Sequence, residues 1–155
     1  MTELARETVS VVVVTDERVE ADGSRAIYRG AANIALENDY EIASMAKAAL
    51  RIRAAFPSGG AVAVLGGGFC ILPRLLGLTP YRITIFEINE VLERYVPAGC
   101  HFILGRWQDT LVDRYDVIIH DTGEDLTERE GAMLAEHLIE GGQVITSMEA
   151  AKMEI

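Results

Sequence analysis

A chain of 155 residues, half of them hydrophobic and a quarter charged, is long enough for one domain with its own core. Its formal net charge of −10 argues against a polyanionic partner, because phosphate backbones are held mainly by Lys and Arg. Nucleic acid is therefore excluded as the expected substrate, and a cationic or neutral one is favoured. The chain has no run of about eighteen apolar residues, and MTELARETVS lacks the charged-then-apolar pattern of a secretion leader, so a soluble, cytoplasmic protein with no membrane partner is expected. Cys70 and Cys100 show no paired spacing and read as reduced structural thiols, with no disulfide or metal site.

In chain order, Val9 to Val14 is a β-branched run and Arg25 to Arg29 a second short strand, with Glu20-Ala-Asp-Gly23 as turn residues between them. This reads as an N-terminal β-hairpin segment over residues 1–35. From Glu41 to Phe56, Ile42, Met45, Ala46, Ala49, Leu50 and Ile52 recur at helical spacing, and Pro57-Ser-Gly-Gly60 ends the run. Strands at Ala61 to Leu65 and Ile83 to Phe86 then alternate with helices at Cys70 to Leu76 and Glu90 to Tyr95. His101 to Leu104, Val117 to Ile119 and Gln143 to Thr146 are further strands, and Thr127 to Ile139 is a helix with a Thr127/Glu130 capping box. Apolar strands separated by helices imply an α/β, Rossmann-like, mostly parallel sheet with helices on both faces over residues 36–155, in one compact domain with the hairpin. Ligands of such sheets bind beyond the carboxyl ends of the strands, where the strand order reverses.

Four features stand at those strand ends. Val64-Leu-Gly66-Gly67-Gly68-Phe-Cys70 follows the first core strand and opens a helix, so its glycines permit a tight turn and close approach to a ligand. It lacks the third glycine of the dinucleotide fingerprint, Cys70 would crowd a pyrophosphate, and a plain strand-to-helix turn is the alternative. Glu87 ends the strand Ile83-Thr-Ile-Phe86 about twenty residues after the glycines, where a carboxylate can accept from both ribose hydroxyls. Alone it is an ordinary surface acid; with the glycine turn it favours nucleoside binding. Gly105-Arg-Trp107-Gln-Asp109 offers an indole that either stacks on an adenine or packs the start of a helix. In Tyr115-Asp116-Val-Ile-Ile-His120-Asp121-Thr122-Gly123, Asp116 begins its strand and belongs at the end far from a ligand, and Asp121 is the candidate for substrate contact.

The order GGGFC, IFEIN, GRWQDTL, YDVIIHDTG and EGGQVIT resembles the class I S-adenosylmethionine-dependent methyltransferases. Within them it is most similar to the guanidinoacetate N-methyltransferase and type IV arginine methyltransferase branch, over about Leu36 to Ser147. The resemblance implies S-adenosylmethionine as cofactor. By position, it implies that Gly66 and Gly68 border the methionine part, that Glu87 holds the ribose and that Arg106 and Trp107 lie beside the adenine. Tyr40, Gly67, Ile88, Asp121 and Thr122 complete the implied cofactor contacts. The branch also carries an aromatic-Glu pair before the glycine turn, matched here by Tyr40-Glu41, so Glu41 and Asp121 are implied as the catalytic pair that holds a guanidinium. Two carboxylates can bind a cation bidentately and point one nitrogen at a methyl group, and displacement at a sulfonium needs mainly alignment and desolvation. Read without the resemblance, Glu41 is a helix N-terminal acid favoured by the macrodipole.

Three departures accompany the resemblance. Val64 stands where many methyltransferases carry an acid, as in the spermidine synthase-like branch, whose glycine turn and Y-D-V-I-I-x-D segment this sequence also resembles. The proline common after the strand-end acid of both relatives is absent. Little chain follows Gly142 to Thr146, so a shortened C-terminus without the last two strands of the usual sheet is expected. The expected function is methyl transfer to a nitrogen of a small or peptidic, cationic acceptor. Aminopropyl transfer from decarboxylated S-adenosylmethionine and a non-catalytic S-adenosylmethionine-binding module are the alternatives. An apolar sheet edge together with the valine-rich hairpin leads to the expectation of a homodimer.

Overall fold

The computed structural model of the chain describes residues 15–19, 23–29, 32–77, 79–122 and 124–146. It opens with a three-stranded antiparallel meander, β1 (Thr15–Val19), β2 (Arg25–Arg29) and β3 (Ala32–Glu37), in that order across the sheet. The hairpin expected from the sequence is present with a different partner: β2 pairs with β1, Thr15 opposite Arg29, whereas residues 9–14 lie outside the described residues. The third strand goes beyond the expected hairpin. Its ANIALE stretch lacks a readable apolar alternation: among its described side chains the buried one is the small Ala35, while Ile34 and Leu36 stay partly exposed.

Helix α1 (Asp39–Ala55) starts at Asn38, whose side-chain oxygen accepts from the Glu41 amide at 2.8 Å, the usual cap for an orphan N–H. Met45, Ala48, Ala49 and Ile52 form its buried stripe, while Ile42 and Leu50 of the expected apolar set remain 39% and 46% exposed. The helix delivers the chain into β4 (Gly60–Leu65), α2 (Ile71–Leu76), β5 (Tyr81–Glu87), a 3-10 turn (Glu90–Tyr95), β6 (His101–Leu104), α3 (Trp107–Thr110), β7 (Tyr115–His120), α4 (Glu128–Glu136) and β8 (Leu138–Thr146). The Glu90–Tyr95 segment is 3-10 rather than the expected α-helix, being only six residues long and followed by Val96-Pro97. α4 has the expected capping box, with both Thr127–Glu130 bonds at 3.0 Å, but stops at Glu136 instead of Ile139. Leu138 is already paired opposite Tyr115, and the Tyr115 amide donates to the His137 carbonyl at 2.8 Å, so the chain turns from helix to sheet there.

The five strands from β4 onward are parallel, in the order β6-β5-β4-β7-β8. Alternate side chains of β4 feed two cores, as strand geometry requires. Val62 and Val64 pack with Met45, Ile52, Leu72 and Ile85 on one face, and Ala63 and Leu65 pack with Phe86, Ile118 and Leu134 on the other. Full burial of each branched aliphatic side chain contributes about 1.5–3 kcal/mol, so this double core is the main support of the sheet. Asp116, at the start of β7, accepts from the Ala61 amide at 2.8 Å and ties the two strands at their amino ends. From β4 the order runs one way to β5 and β6 and the other way to β7 and β8, which opens a crevice beyond the carboxyl ends of β4 and β7. Among the described residues no helix is long and apolar enough to cross a membrane.

Candidate functional site

A cleft of about 440 Å³ lies at this crevice, within the size range of small-molecule sites. Its floor is the glycine turn between β4 and α2. Gly66 has φ +87, and a Cβ there would sit 2.5 Å from the Asp121 carbonyl oxygen, so only glycine allows the turn to pack against the end of β7. Gly68 lines the cleft at φ +54 with nothing within 4 Å of the place a Cβ would occupy. The Cys70 thiol is not part of the lining; it is 1% exposed in the core, and burial pushes its pKa up to about 12.

Glu87, 6% exposed at the end of β5, is held by four donors. Its Oε1 accepts from the amides of Gly67 (3.1 Å) and Gly68 (3.3 Å), and its Oε2 accepts from the amide (2.9 Å) and Nδ2 (3.0 Å) of Asn89. A buried carboxylate must have such partners, and these tie the glycine turn to the strand end. Asn89 is a contributor that the residue-by-residue reading passes over, although the IFEIN segment contains it.

The remaining walls come from segments far apart in the chain. Ile88 lines the cleft while 61% exposed. Arg106 lines it too; its side chain is two-thirds exposed and lies 3.8 Å from Asp109. Trp107 is 5% exposed and packed into the second core, so it fills the start of α3 and presents only part of its surface to the cleft. Asp121 and Thr122 follow β7, and Glu41 enters from the first turn of α1. Burial raises the pKa of Glu41, and its carboxylate has no hydrogen bond or ion pair among the described residues. Tyr40 does not join this group. It is 65% exposed and borders a separate depression with Ser24, Asn38 and Asp39, because consecutive residues of a helix's first turn point about 100° apart. Phe69 of the glycine turn also lines the cleft, as do Ile34, Ala35 and Leu36 of β3, a contribution no local motif announces.

His120 is a further residue that the motif reading quotes without using. It is 5% exposed, its Nε2 lies 3.2 Å from the Thr122 hydroxyl, and Trp107 meets its ring edge-on at 6.1 Å. Burial lowers its pKa, against smaller opposing pulls from Glu130 and Glu124. The unfolded chain protonates this histidine near its ordinary value of about 6.5 while the folded chain resists until lower pH. Its effect on stability is therefore nil above that value and increasingly unfavourable below it. A series of thermal melts from neutral pH to about pH 5 should show a smaller acid loss in His120→Gln than in the parent; equal slopes would mean that another group titrates.

Among the described residues, the charged side chains on the cleft wall are Glu41, Glu87, Asp121, Glu124 and one cation, Arg106. The wall thus favours cationic or neutral ligand groups over anionic ones.

No protein-family model and no curated protein sequence matches this chain. Several solved structures do. A ribosomal protein L11 methylase from Lactobacillus delbrueckii subsp. bulgaricus is 22% identical over 66% of this chain and 56% of its own, with a TM-score of 0.51. The glycopeptide N-methyltransferase MtfA complexed with S-adenosyl-L-methionine is 20% identical over 67% of this chain and 53% of its own, TM-score 0.52. The C-terminal domain of precorrin-6Y C5,15-methyltransferase from Rhodobacter capsulatus is 14% identical over 64% and 60%, TM-score 0.51. The chain thus spans between 53% and 60% of the length of these structures. At such identities the likeness concerns architecture: the chain has the Rossmann-like α/β fold found in these methyltransferases.

Proposed function

We propose that the cleft binds S-adenosylmethionine and that the chain transfers its methyl group to a nitrogen of a small or peptidic, cationic acceptor. The observation that carries this reading is the convergence of the glycine turn, Glu87, Trp107, Glu41 and Asp121 around one cleft at the strand-order switch. The residues present fit the group: Gly68 leaves open backbone on the cleft floor, and a fixed carboxylate stands at the end of β5. The bonds from Gly67 and Gly68 are the longest to Glu87, so Oε1 is the oxygen that ribose hydroxyls would share. Gly66, Gly67 and Ile88 would border the cofactor, with Arg106, Trp107 and Thr122 on its adenine side and Asp121 nearer the acceptor. The bound cofactor supplies an electrophilic methyl on a sulfonium. Glu41 and Asp121 would orient the acceptor's cation, and Glu41, its pKa raised while it lacks a cation, would gain one. The glycopeptide N-methyltransferase among the similar structures supports a nitrogen on a peptide as one form of acceptor.

A second reading, aminopropyl transfer from the decarboxylated cofactor, is favoured by a specific feature: Arg106 is the one basic side chain on the described cleft wall, which leaves little to pair with the carboxylate of an amino acid. Calorimetric titration with S-adenosylmethionine, its decarboxylated form and S-adenosylhomocysteine tests both. Preference for the intact cofactor supports methyl transfer, preference for the decarboxylated one supports the second reading, and binding of neither overturns both. Once an acceptor is found, Glu41→Gln and Asp121→Asn should each cut its turnover by at least tenfold with cofactor affinity nearly unchanged, and the losses should not add. Full activity in either variant removes that residue from the site.

We also propose self-association. β8 ends the parallel sheet, and its outer edge has no partner strand among the described residues, an arrangement open to pairing with a second copy. Light scattering at micromolar concentration should give twice the chain mass; a clean monomer overturns the idea.

A further inference from the structure

Three of the five residues in the turn 66–70 hold left-handed backbone angles, Gly66 (φ +87), Gly68 (φ +54) and Cys70 (φ +59). Cys70 carries a Cβ, so it keeps this conformation only while its surroundings impose it. One local tie is its amide bond to the Gly67 carbonyl at 2.8 Å. The rest comes from outside the turn.

Phe69, between Gly68 and Cys70, is 2% exposed, and its ring is held from two directions. Tyr95 meets it edge-on at 4.9 Å, and the Arg25 guanidinium lies 4.4 Å from its centroid and 5.6 Å from that of Tyr95. Arg25 belongs to β2 of the meander, remote in sequence from the turn. Its guanidinium is bonded to Glu37 of β3 at 3.1 Å, and the second oxygen of Glu37 takes Arg74 of α2 at 2.6 Å. Arg74 in turn donates to the Cys70 carbonyl at 3.3 Å. The Glu37 side chain is only 13% exposed, against 36% for Arg25 and 46% for Arg74, so the carboxylate is the shielded member that joins the two guanidinium groups. Arg25, Glu37 and Arg74 thus close a loop of contacts around the turn, reaching it through the Phe69 ring on one side and the Cys70 carbonyl on the other.

We propose that Arg25 is a positioning residue for the nucleoside site: through Arg25 and Glu37 the N-terminal meander holds residues 66–70 in their ligand-binding conformation. The inference rests on reading the cleft as that site. Because the meander also supplies Ile34, Ala35 and Leu36 to the cleft wall, ligand binding and meander docking strengthen each other by linkage. A guanidinium is suited to the role because it is planar and stacks on a ring while bonding a carboxylate, which an ammonium cannot do in the same way.

The test combines calorimetry with S-adenosylhomocysteine and amide hydrogen exchange on the full chain. Arg25→Ala should bind about tenfold more weakly, and Arg25→Lys, which keeps the charge but not the stacking plane, should recover only part. Residues 66–70 should exchange faster in both variants while the amides of β4, β5 and β7 keep their protection, a pattern that general destabilisation would not produce. In the parent, the ligand should slow exchange in β2 and β3. If Arg25→Ala does not fold, Glu37→Gln, which loosens Arg25 without removing it, should give the same local pattern. Parent-like exchange of residues 66–70 in the Arg25 variants, with affinity within twofold, overturns the proposal. If the parent fails to bind S-adenosylhomocysteine, the nucleoside reading fails by itself, and the exchange of residues 66–70 still decides whether the meander holds the turn.

Discussion

Gly66→Ala is expected to abolish binding of S-adenosylhomocysteine and to cost about 3 kcal/mol or more of stability. Two causes add. An alanine at φ +87 carries the left-handed penalty of about 1–2 kcal/mol. Its Cβ would also stand 2.5 Å from the Asp121 carbonyl oxygen and 3.1 Å from the Thr122 Cα, and backbone cannot rotate out of the way as a side chain can. The turn or the β7 loop must shift, and both line the cleft. Gly68→Ala is the control for stability alone, since at φ +54 its Cβ meets no protein atom within 4 Å and only the conformational penalty applies, although that Cβ would stand in the cleft. Urea denaturation and calorimetry on the pair measure the difference. A Gly66→Ala chain as stable as the parent would mean that the turn does not pack against β7 in this way.

Glu87→Gln should lower affinity for S-adenosylhomocysteine by about 2–4 kcal/mol and should also destabilise the chain. The substitution is nearly isosteric, but both carboxylate oxygens accept from donors only: Gly67 and Gly68 amides on one side, Asn89 amide and Nδ2 on the other. The glutamine amide must therefore turn its NH₂ toward N–H groups on one side, leaving buried donors unpaired and removing the charge that strengthens the other bonds. Affinity should fall more than a global loss of stability explains, because the glycine turn itself is released. Titration with the ligand and a parallel denaturation curve separate the two effects. Unchanged affinity would place the nucleoside elsewhere in the cleft.

The architecture was legible from local pattern because strands buried on both faces read as apolar runs and helices as periodic ones. Errors fell where tertiary pairing overrides pattern. The expected helix over Leu138 and Ile139 is strand, since these residues extend β8 alongside β7. β3 is a strand because β2 offers it an edge, not because ANIALE alternates.

The parallel sheet, the glycine turn after β4, the carboxylate at the end of β5 and the capping box of α4 can all be read from the residues alone. Each depends on residues close in the chain, through period, turn chemistry and strand-end position. Which side chains share the cleft was decided only by the tertiary structure. Tyr40 and Glu41 are neighbours in sequence, yet helical geometry sends Glu41 to the cleft and Tyr40 to another depression. Trp107 is committed mostly to the second core, a matter of what Phe86, Leu111 and Leu134 bring against it. Arg25 reaches the glycine turn across more than forty residues of chain because β2 folds back onto β3 and its guanidinium is carried to Phe69. Contacts between positions so far apart leave no period or spacing in the sequence, for they exist only once the meander has packed onto the sheet.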